Sequence, residues 1–275
     1  MPDIKLIALD MDGTLLSSDH NTIPARNTAA LRAAAELGVH VAIASGRSWS
    51  LVRETAQALG CVTYAITANG AYTLNTATGR EVASFPITAA QAAQIIQVLR
   101  RWKLSYELYM GPANYMEACQ LEDAAQLGFS PAFMEMFRRN TVLVPDMLPA
   151  LQSAGVGKFD IFRVPEPCRA QVAGELAATG PLLATSPLGG NLELNAPGVH
   201  KGRALAALAG ELGLVPGQIM AFGDADNDLG MLEYAHWSFA MENASAEAKA
   251  AARFQTGRND DGGVGMAVEQ HILGR

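Results

Sequence analysis

Only three cysteines occur in 275 residues, and Cys61, Cys119 and Cys168 stand far apart with no Cys-x-x-Cys pair. That argues against a zinc knuckle, a thioredoxin-type dithiol and a disulfide framework, and fits free thiols in a reducing compartment. Long hydrophobic runs are also missing: none approaches the ~20 apolar residues of a membrane span. The opening Met1-Pro2-Asp3-Ile4-Lys5 lacks the apolar stretch of a signal peptide. A soluble, cytoplasmic chain with no membrane partner is therefore expected. Charge is sparse at 17%, and basic residues are the minority: 20 Lys+Arg against 27 Asp+Glu, a formal net charge of −7. A nucleic-acid partner, which wants a basic surface, is not expected. A small anionic ligand stays open, because the local field of a cleft outweighs the sum. What the chain does have is apolar material, 49% of its residues, enough for a sizeable core and against intrinsic disorder. At ~100–200 residues per domain the length fits one large or two ordinary domains.

The pattern along the chain favours two. Ile4–Leu9, Val39–Ala44 and Tyr64–Thr67 read as short buried strands, and Pro24–Leu37 and Ser48–Leu59 as helices closed by Gly38 and Gly60. Strands alternating with helices imply parallel βαβ units. From about residue 86 the texture becomes α+β. A helix over Thr88–Lys103 precedes strands at Leu104–Tyr109, Asn114–Glu117 and Lys158–Val164. A helix over Cys168–Ala178 then leads to a hairpin, Leu182–Thr185 with Leu192–Leu194, turning at Pro187-Leu188-Gly189-Gly190. The first texture returns at Lys201, with a helix over Lys201–Leu212, a buried strand Ile219–Phe222, a helix from Asp228 to Tyr234 and a strand Trp237–Ala240. The expected fold class is α/β: a doubly wound, mainly parallel Rossmann-like sheet with an inserted α+β domain. The core is residues 1–85 and 196–275, and the insertion is 86–195. Tyr106, Tyr109, Tyr115, Phe133 and Phe137 can line a pocket in the insertion, but such aromatics more often form a domain's own core.

Four segments carry candidate chemistry. The first strand ends in Asp10-Met11-Asp12-Gly13-Thr14, and the late strand in Gly223-Asp224-Ala225-Asp226-Asn227-Asp228. Ligands of a parallel sheet bind beyond the carboxyl ends of its strands. Converging carboxylates there repel unless a cation or a proton stabilises them. Hard cations such as Mg²⁺ take oxygen ligands of this kind. The spacing does not match an EF-hand. Solvated turns and helix caps are the alternative for such Asp-Gly clusters, with Asp226 or Asn227 as cap of the helix from Asp228, but a second acidic cluster at another strand's end makes coincidence a weaker account. The second strand ends in Ser45-Gly46-Arg47, where a hydroxyl and helix N-terminal amides suit a phosphate oxygen; Ser48 as a simple N-cap explains it as well. Lys201 opens a helix, against the helix dipole, which suits either an anion partner or a solvated lysine. His20, His40, His236 and His271 show no metal-ligand spacing and are assigned no role.

Together, in order and spacing, these segments resemble the four motifs of the haloacid dehalogenase superfamily: Asp10-x-Asp12-Gly13-Thr14, Ser45, Lys201, and Gly223-Asp224-x-x-Asn227-Asp228. Further matches point to its Cof-like subgroup with a type IIB cap. They are Ala44-Ser45-Gly46-Arg47, Asn69-Gly70-Ala71, Pro197-Gly198-Val199-His200-Lys201-Gly202, Met231-Leu232, Ala240-Met241-Glu242-Asn243-Ala244 and Asn259-Asp260-Asp261-Gly262-Gly263-Val264. The subgroup often has Ser at His200 and Gly at Ala225. The resemblance implies an Mg²⁺-dependent phosphatase acting on a small phosphomonoester, a phosphosugar or a phosphorylated cofactor, through an aspartyl-phosphate. Asp10 is then the nucleophile and Asp12 the general acid and base, while Ser45 and Lys201 hold the phosphate. Gly46, Arg47, Asn69 and Asn227 are implied on the substrate side. The implied metal ligands are Asp10, Asp12 (through its backbone carbonyl), Asp224 and Asp228, and the insertion is implied to be a lid. A phosphotransferase or phosphomutase on the same core, and a non-catalytic binding protein, are the alternatives. A monomer or weak homodimer is expected.

Overall fold

The computed structural model describes residues 2–122, 131–151, 155–186 and 190–275. The expected turn residues Pro187, Leu188 and Gly189, and the side chain of Phe133, lie outside this description. The chain divides into two compact units: residues 1–47, 52–84 and 200–275, and residues 48–51 with 85–199.

In chain order the strands are β1 Leu6–Leu9, β2 His40–Ala44, β3 Tyr64–Thr67, β4 Tyr72–Asn75, β5 Glu81–Ser84, β6 Tyr106–Met110, β7 Ala113–Glu117, β8 Thr141–Val144, β9 Lys158–Ile161, β10 Leu183–Thr185, β11 Leu192–Asn195, β12 Ile219–Gly223, β13 Trp237–Ala240 and β14 Phe254–Gln255. The first unit holds an eight-stranded sheet in the order β14-β13-β12-β1-β2-β3-β4-β5. All pairings from β14 to β3 are parallel, and β4 and β5 add an antiparallel edge. Helices α1, Ala25–Glu36, and α2, Trp49–Leu59, follow β1 and β2. The chain winds from β1 toward β3 on one side and returns at β12 on the other. The reversal of strand order at β1 is a topological switch point, where doubly wound sheets bind ligands.

Burial follows from the residue pattern. Leu6 to Leu9 are all fully buried, as a central strand covered on both faces must be. On one face Leu6, Ala8, Ala42, Ala44, Ile66, Ile219 and Ala221 pack against Ala204, Leu205, Leu208 and Ala209 of the helix Lys201–Glu211. Those helical positions recur at the spacing of a single helix face.

The second unit holds a six-stranded sheet, β10-β11-β9-β6-β7-β8, antiparallel except between β7 and β8. One face carries the apolar core. Tyr106, Leu108, Phe159, Ile161, Leu192 and Leu194 meet Ile95, Ile96 and Leu99 of α3, Ala89–Arg101, and Val172 and Leu176 of the helix Glu166–Ala177. The alternate residues make the other face polar, with Glu107, Tyr109, Lys158 and Glu193 all buried. Lys158 Nζ lies 2.5 Å from Glu193 Oε1 and 4.6 Å from the centre of the Tyr109 ring. Tyr106 and Phe137 belong to apolar clusters, and Tyr115 packs against one. Tyr109 instead donates its hydroxyl to Glu107 at 3.0 Å.

Candidate active site

Every side chain of the site belongs to the first unit. Directly after β1 the chain makes two successive wide turns: Leu15 N–H donates to Asp10 O at 3.2 Å and Leu16 N–H to Met11 O at 2.9 Å. Gly13 sits at φ +84°, and a Cβ there would stand 2.3 Å from Asp224 Oδ2. Only glycine serves both demands. Three asparagines hold this loop by its carbonyls. Asn243 donates to Gly13 O at 2.7 Å, Asn259 to Leu16 O at 2.9 Å and Asn27 to Leu15 O at 3.3 Å. The amides of Asn259 and Gly265 bond to Asn243 Oδ1 and Asn27 Oδ1 in turn.

Asp10 therefore projects from the end of the central strand into a buried ionic cluster. Lys201, fully buried at the start of its helix, places Nζ 2.6 Å from Asp10 Oδ1 and 2.6 Å from Asp228 Oδ1. Asp228 Oδ2 accepts the amides of Asp224 and Ala225 at 2.9 and 3.1 Å. The capping carboxylate of this turn is thus Asp228, reaching back, and not Asp226 or Asn227 as expected from sequence; Asp226 and Asn227 are exposed. Thr14 Oγ1 donates to Asp224 Oδ1 at 2.8 Å. His200 caps the helix Lys201–Glu211: its Nδ1 accepts the Arg203 amide at 3.2 Å. Gly230 leaves the room, since a Cβ there would approach His200 Nδ1 to 2.4 Å.

Three carboxylates share one ammonium. Burial pushes the Asp10 carboxyl well above the usual range; Lys201 pulls it down, and Asp228 and Asp224 push it further up. Asp224 is pushed up to about 6 by burial, against the Thr14 hydrogen bond and with Asp228 adding. Burial also disfavours the Lys201 charge, but Asp10 and Asp228 outweigh it and the ammonium holds its proton more firmly than in water. This is the electrostatic state of a site short of positive charge. Among the described residues, Asp10, Asp224 and Asp228 form the one group of acids that could hold a metal ion, with ligand atoms within 4.8 Å of one another. An all-oxygen set of this charge fits a hard divalent cation.

The side chain of Asp12 takes a different direction and stands outside that trio. Its Oδ1 accepts Arg47 Nη2 at 2.6 Å and lies 3.1 Å from His20 Nδ1. His20, assigned no role from the sequence, is brought beside Asp12 by the fold, and no spacing rule connects a loop histidine to that aspartate. At the end of β2, Ser45 is buried, and its Oγ accepts the Arg47 amide at 3.2 Å. Asn69, left-handed at φ 60°, donates its amide to Ser45 O at 3.1 Å. Its side-chain oxygen lies where a Cβ on Gly46 would stand 2.8 Å away. The exposed side chain of Asn227 makes no hydrogen bond among the described residues. The three asparagines of the loop are the other site-building residues that spacing alone did not assign.

A doubly wound sheet thus carries a buried Asp–Lys–Asp cluster at its switch point. A family model described as haloacid dehalogenase-like hydrolase matches residues 7–268, and the chain belongs to that family, of the Cof-like kind. It is 30% identical over 271 residues to the 5-amino-6-(5-phospho-D-ribitylamino)uracil phosphatase YcsE of Bacillus subtilis, across 98% of this chain and 97% of that one. It is 25% identical over 270 residues to the pyridoxal phosphate phosphatase YbhA of Escherichia coli, across 98% and 99%. A crystal structure of a haloacid dehalogenase-like hydrolase from Bacteroides thetaiotaomicron superposes with a TM-score of 0.83 at 26% identity, covering 97% of this chain and 99% of that one. The protein is an enzyme, a phosphatase of this family. Among the described residues no helix is long and apolar enough to cross a membrane.

Proposed function

We propose that the protein hydrolyses a small phosphomonoester by double displacement on Asp10, with Mg²⁺ as cofactor. The observation that carries this reading is the buried Asp10 carboxylate, 2.6 Å from Lys201 Nζ and within reach of Asp224 and Asp228. Asp10 attacks phosphorus and the bond to the ester oxygen breaks, leaving an aspartyl-phosphate. Splitting one difficult displacement into two easier ones is the gain of covalent catalysis. The Asp12 carboxyl gives its proton to the departing alkoxide, then takes one from the water that discharges the acyl phosphate. Lys201 holds Asp10 and a phosphoryl oxygen as a compact point charge, and Ser45 with the amides around Gly46 receives another. Arg47, Asn69 and Asn227 are placed on the substrate side by the same reading.

Asp10, the Asp12 backbone carbonyl and Asp224 would hold the metal. Asp228, both of whose oxygens are already engaged, would reach it through water. Bound there, Mg²⁺ would offset the repulsion between the carboxylates and the phosphate. The substrate class is a phosphosugar or a phosphorylated cofactor; relatives named for 5-amino-6-(5-phospho-D-ribitylamino)uracil and for pyridoxal phosphate support a small phosphorylated metabolite. The core of residues 1–85 and 196–275 and the insertion 86–195 are the corresponding functional division.

A phosphate-release screen over phosphomonoesters with Mg²⁺, run on wild type and Asp10→Asn, tests the reading. Turnover is expected for wild type, lost in chelator and restored by Mg²⁺, and absent in the variant although it folds normally. Rigorously purified Asp10→Asn with wild-type activity would remove Asp10 as nucleophile. Discharge of the aspartyl-phosphate to a sugar in preference to water would make the enzyme a phosphotransferase.

A further inference from the structure

The Asp12 carboxyl is held from two sides through a single oxygen. Arg47 Nη2 and His20 Nδ1 both address Oδ1, at 2.6 and 3.1 Å, and Oδ2 makes no hydrogen bond among the described residues. A carboxyl oxygen can only accept at this position, so the His20 tautomer that fits carries its hydrogen on Nδ1.

Both donors are themselves fixed by backbone. Arg47 follows Ser45 and is pinned by its own amide to Ser45 Oγ and by its carbonyl, which accepts the Ala68 amide at 2.9 Å. His20 lies at the tip of a short loop with φ +57°, a conformation uncommon outside glycine in which histidine is among the better tolerated residues. The loop is closed by Ser17 N–H to Thr22 O at 2.8 Å and His20 N–H to Ser17 O at 2.9 Å. Asp19 accepts the amides of Asn21 and Thr22 and the Thr22 hydroxyl, at 2.9, 2.8 and 2.6 Å. Ser18 ties the loop to the far end of the chain, its amide and hydroxyl donating to the two oxygens of Asp260 at 2.8 and 2.7 Å. This much local bonding around an exposed histidine aims one ring nitrogen at one carboxyl oxygen.

We propose that His20 is a positioning residue for Asp12, fixing with Arg47 the rotation of the carboxyl so that Oδ2 is the oxygen that passes the proton to the leaving alkoxide. This rests on the assignment of Asp12 as general acid above. The consequence is selective: His20 matters where the leaving oxygen must be protonated as its bond breaks, and little where the leaving group departs as a stable phenolate.

The test compares kcat/KM on p-nitrophenyl phosphate with that on an alkyl ester from the hydrolysed set, such as ribose 5-phosphate, for His20→Gly, His20→Asn and Asp12→Asn. Glycine keeps the left-handed backbone and removes the donor. Asparagine tolerates that backbone and sets its amide nitrogen where Nδ1 stood. With one hydrogen bond at stake, His20→Gly is expected to lose about tenfold on the alkyl ester and under about twofold on the aryl ester. His20→Asn is expected to recover most of the alkyl rate. Equal losses on both esters, no loss on either, or failure of asparagine to rescue overturns the role of His20. If Asp12→Asn also treats the two esters alike, the general-acid assignment falls and takes this inference with it. If Asp12→Asn discriminates and His20→Gly does not, only the inference falls.

Discussion

Replacing Lys201 by methionine isolates the electrostatic design of the site. The substitution keeps the length and apolar stem of the side chain but removes the ammonium that lies 2.6 Å from both Asp10 and Asp228 in a fully buried position. Breaking a buried ion pair from one side costs about 3–5 kcal/mol. At about 2–4 °C per kcal/mol for a chain of this size, that lowers the metal-free melting temperature by about 10 °C. The carboxylates can relieve the loss only by taking up protons, so the deficit is expected to be larger at pH 8 than at pH 5. A divalent cation acts in the opposite sense. In wild type it must share Asp10 with an ammonium, whereas in Lys201→Met it meets the acids alone. The stabilisation by Mg²⁺, which rises with affinity as RT ln(1 + [L]/Kd), is therefore expected to be larger in the variant than in wild type, even though turnover is lost. Melting curves in chelator and across an Mg²⁺ series, at both pH values, read all of this. An unchanged metal-free melting temperature, or a smaller response to Mg²⁺ than wild type, would refute the account of Lys201 as the single cation that three acids share.

The burial of Glu107 and the crowding at Gly13 each give a measurable outcome. Burial raises Glu107 in the second unit from its ordinary 4.5 to about 7, with Asp160 adding and the Asn114 hydrogen bond opposing. The folded state keeps a proton that the unfolded chain releases, so this group's contribution to stability falls as pH rises from about 4.5 through about 7, by about 3 kcal/mol in all. Glu107→Gln is expected to flatten that slope in urea titrations between pH 5 and pH 8; an identical slope in both proteins would contradict it. Gly13→Ala is expected to reduce kcat by at least about tenfold and to blunt Mg²⁺ stabilisation while leaving the circular dichroism spectrum intact, because its Cβ would press on Asp224 at 2.3 Å; unaltered kinetics would show that the loop yields freely.

The parallel sheet was legible because β1, β2, β3 and β12 are central: buried on both faces, they are near-continuous apolar runs, and β1, β2 and β12 stop at Asp10, Ser45 and Gly223. The same stops marked the carboxyl ends, and through them Asp10, Ser45 and Asp224. The edge hairpin β4–β5 was not legible, since an edge strand such as Glu81–Ser84 buries little and shows no apolar run. The helix Gly263–Val268 was missed for the opposite reason. It is buried along nearly its whole length and rich in glycine, so it has no polar face to reveal a period. Asp228 was placed with the metal acids, but its backbone-capping work was credited to its neighbours, because which of three adjacent polar residues turns inward is decided by a tight 3-10 turn. His20 stayed hidden because its partner is chosen by a left-handed loop and a tether to Asp260, neither of which leaves a spacing.

The ordering of β1 beside β12 has a consequence for synthesis. Lys201 follows Asp10 by 191 positions, and the Asp224 that bonds Thr14 lies 210 positions beyond it. The Ser18–Asp260 tether spans 242 positions. During translation Asp10 is thus made well before the lysine it pairs with and the two acids it is grouped with. Closure of the interrupted sheet depends on contacts far apart in sequence, which are slow to form. The Asp10 cluster is complete only once Lys201, Asp224 and Asp228 have been made, which makes its assembly a late reporter of folding in the first unit.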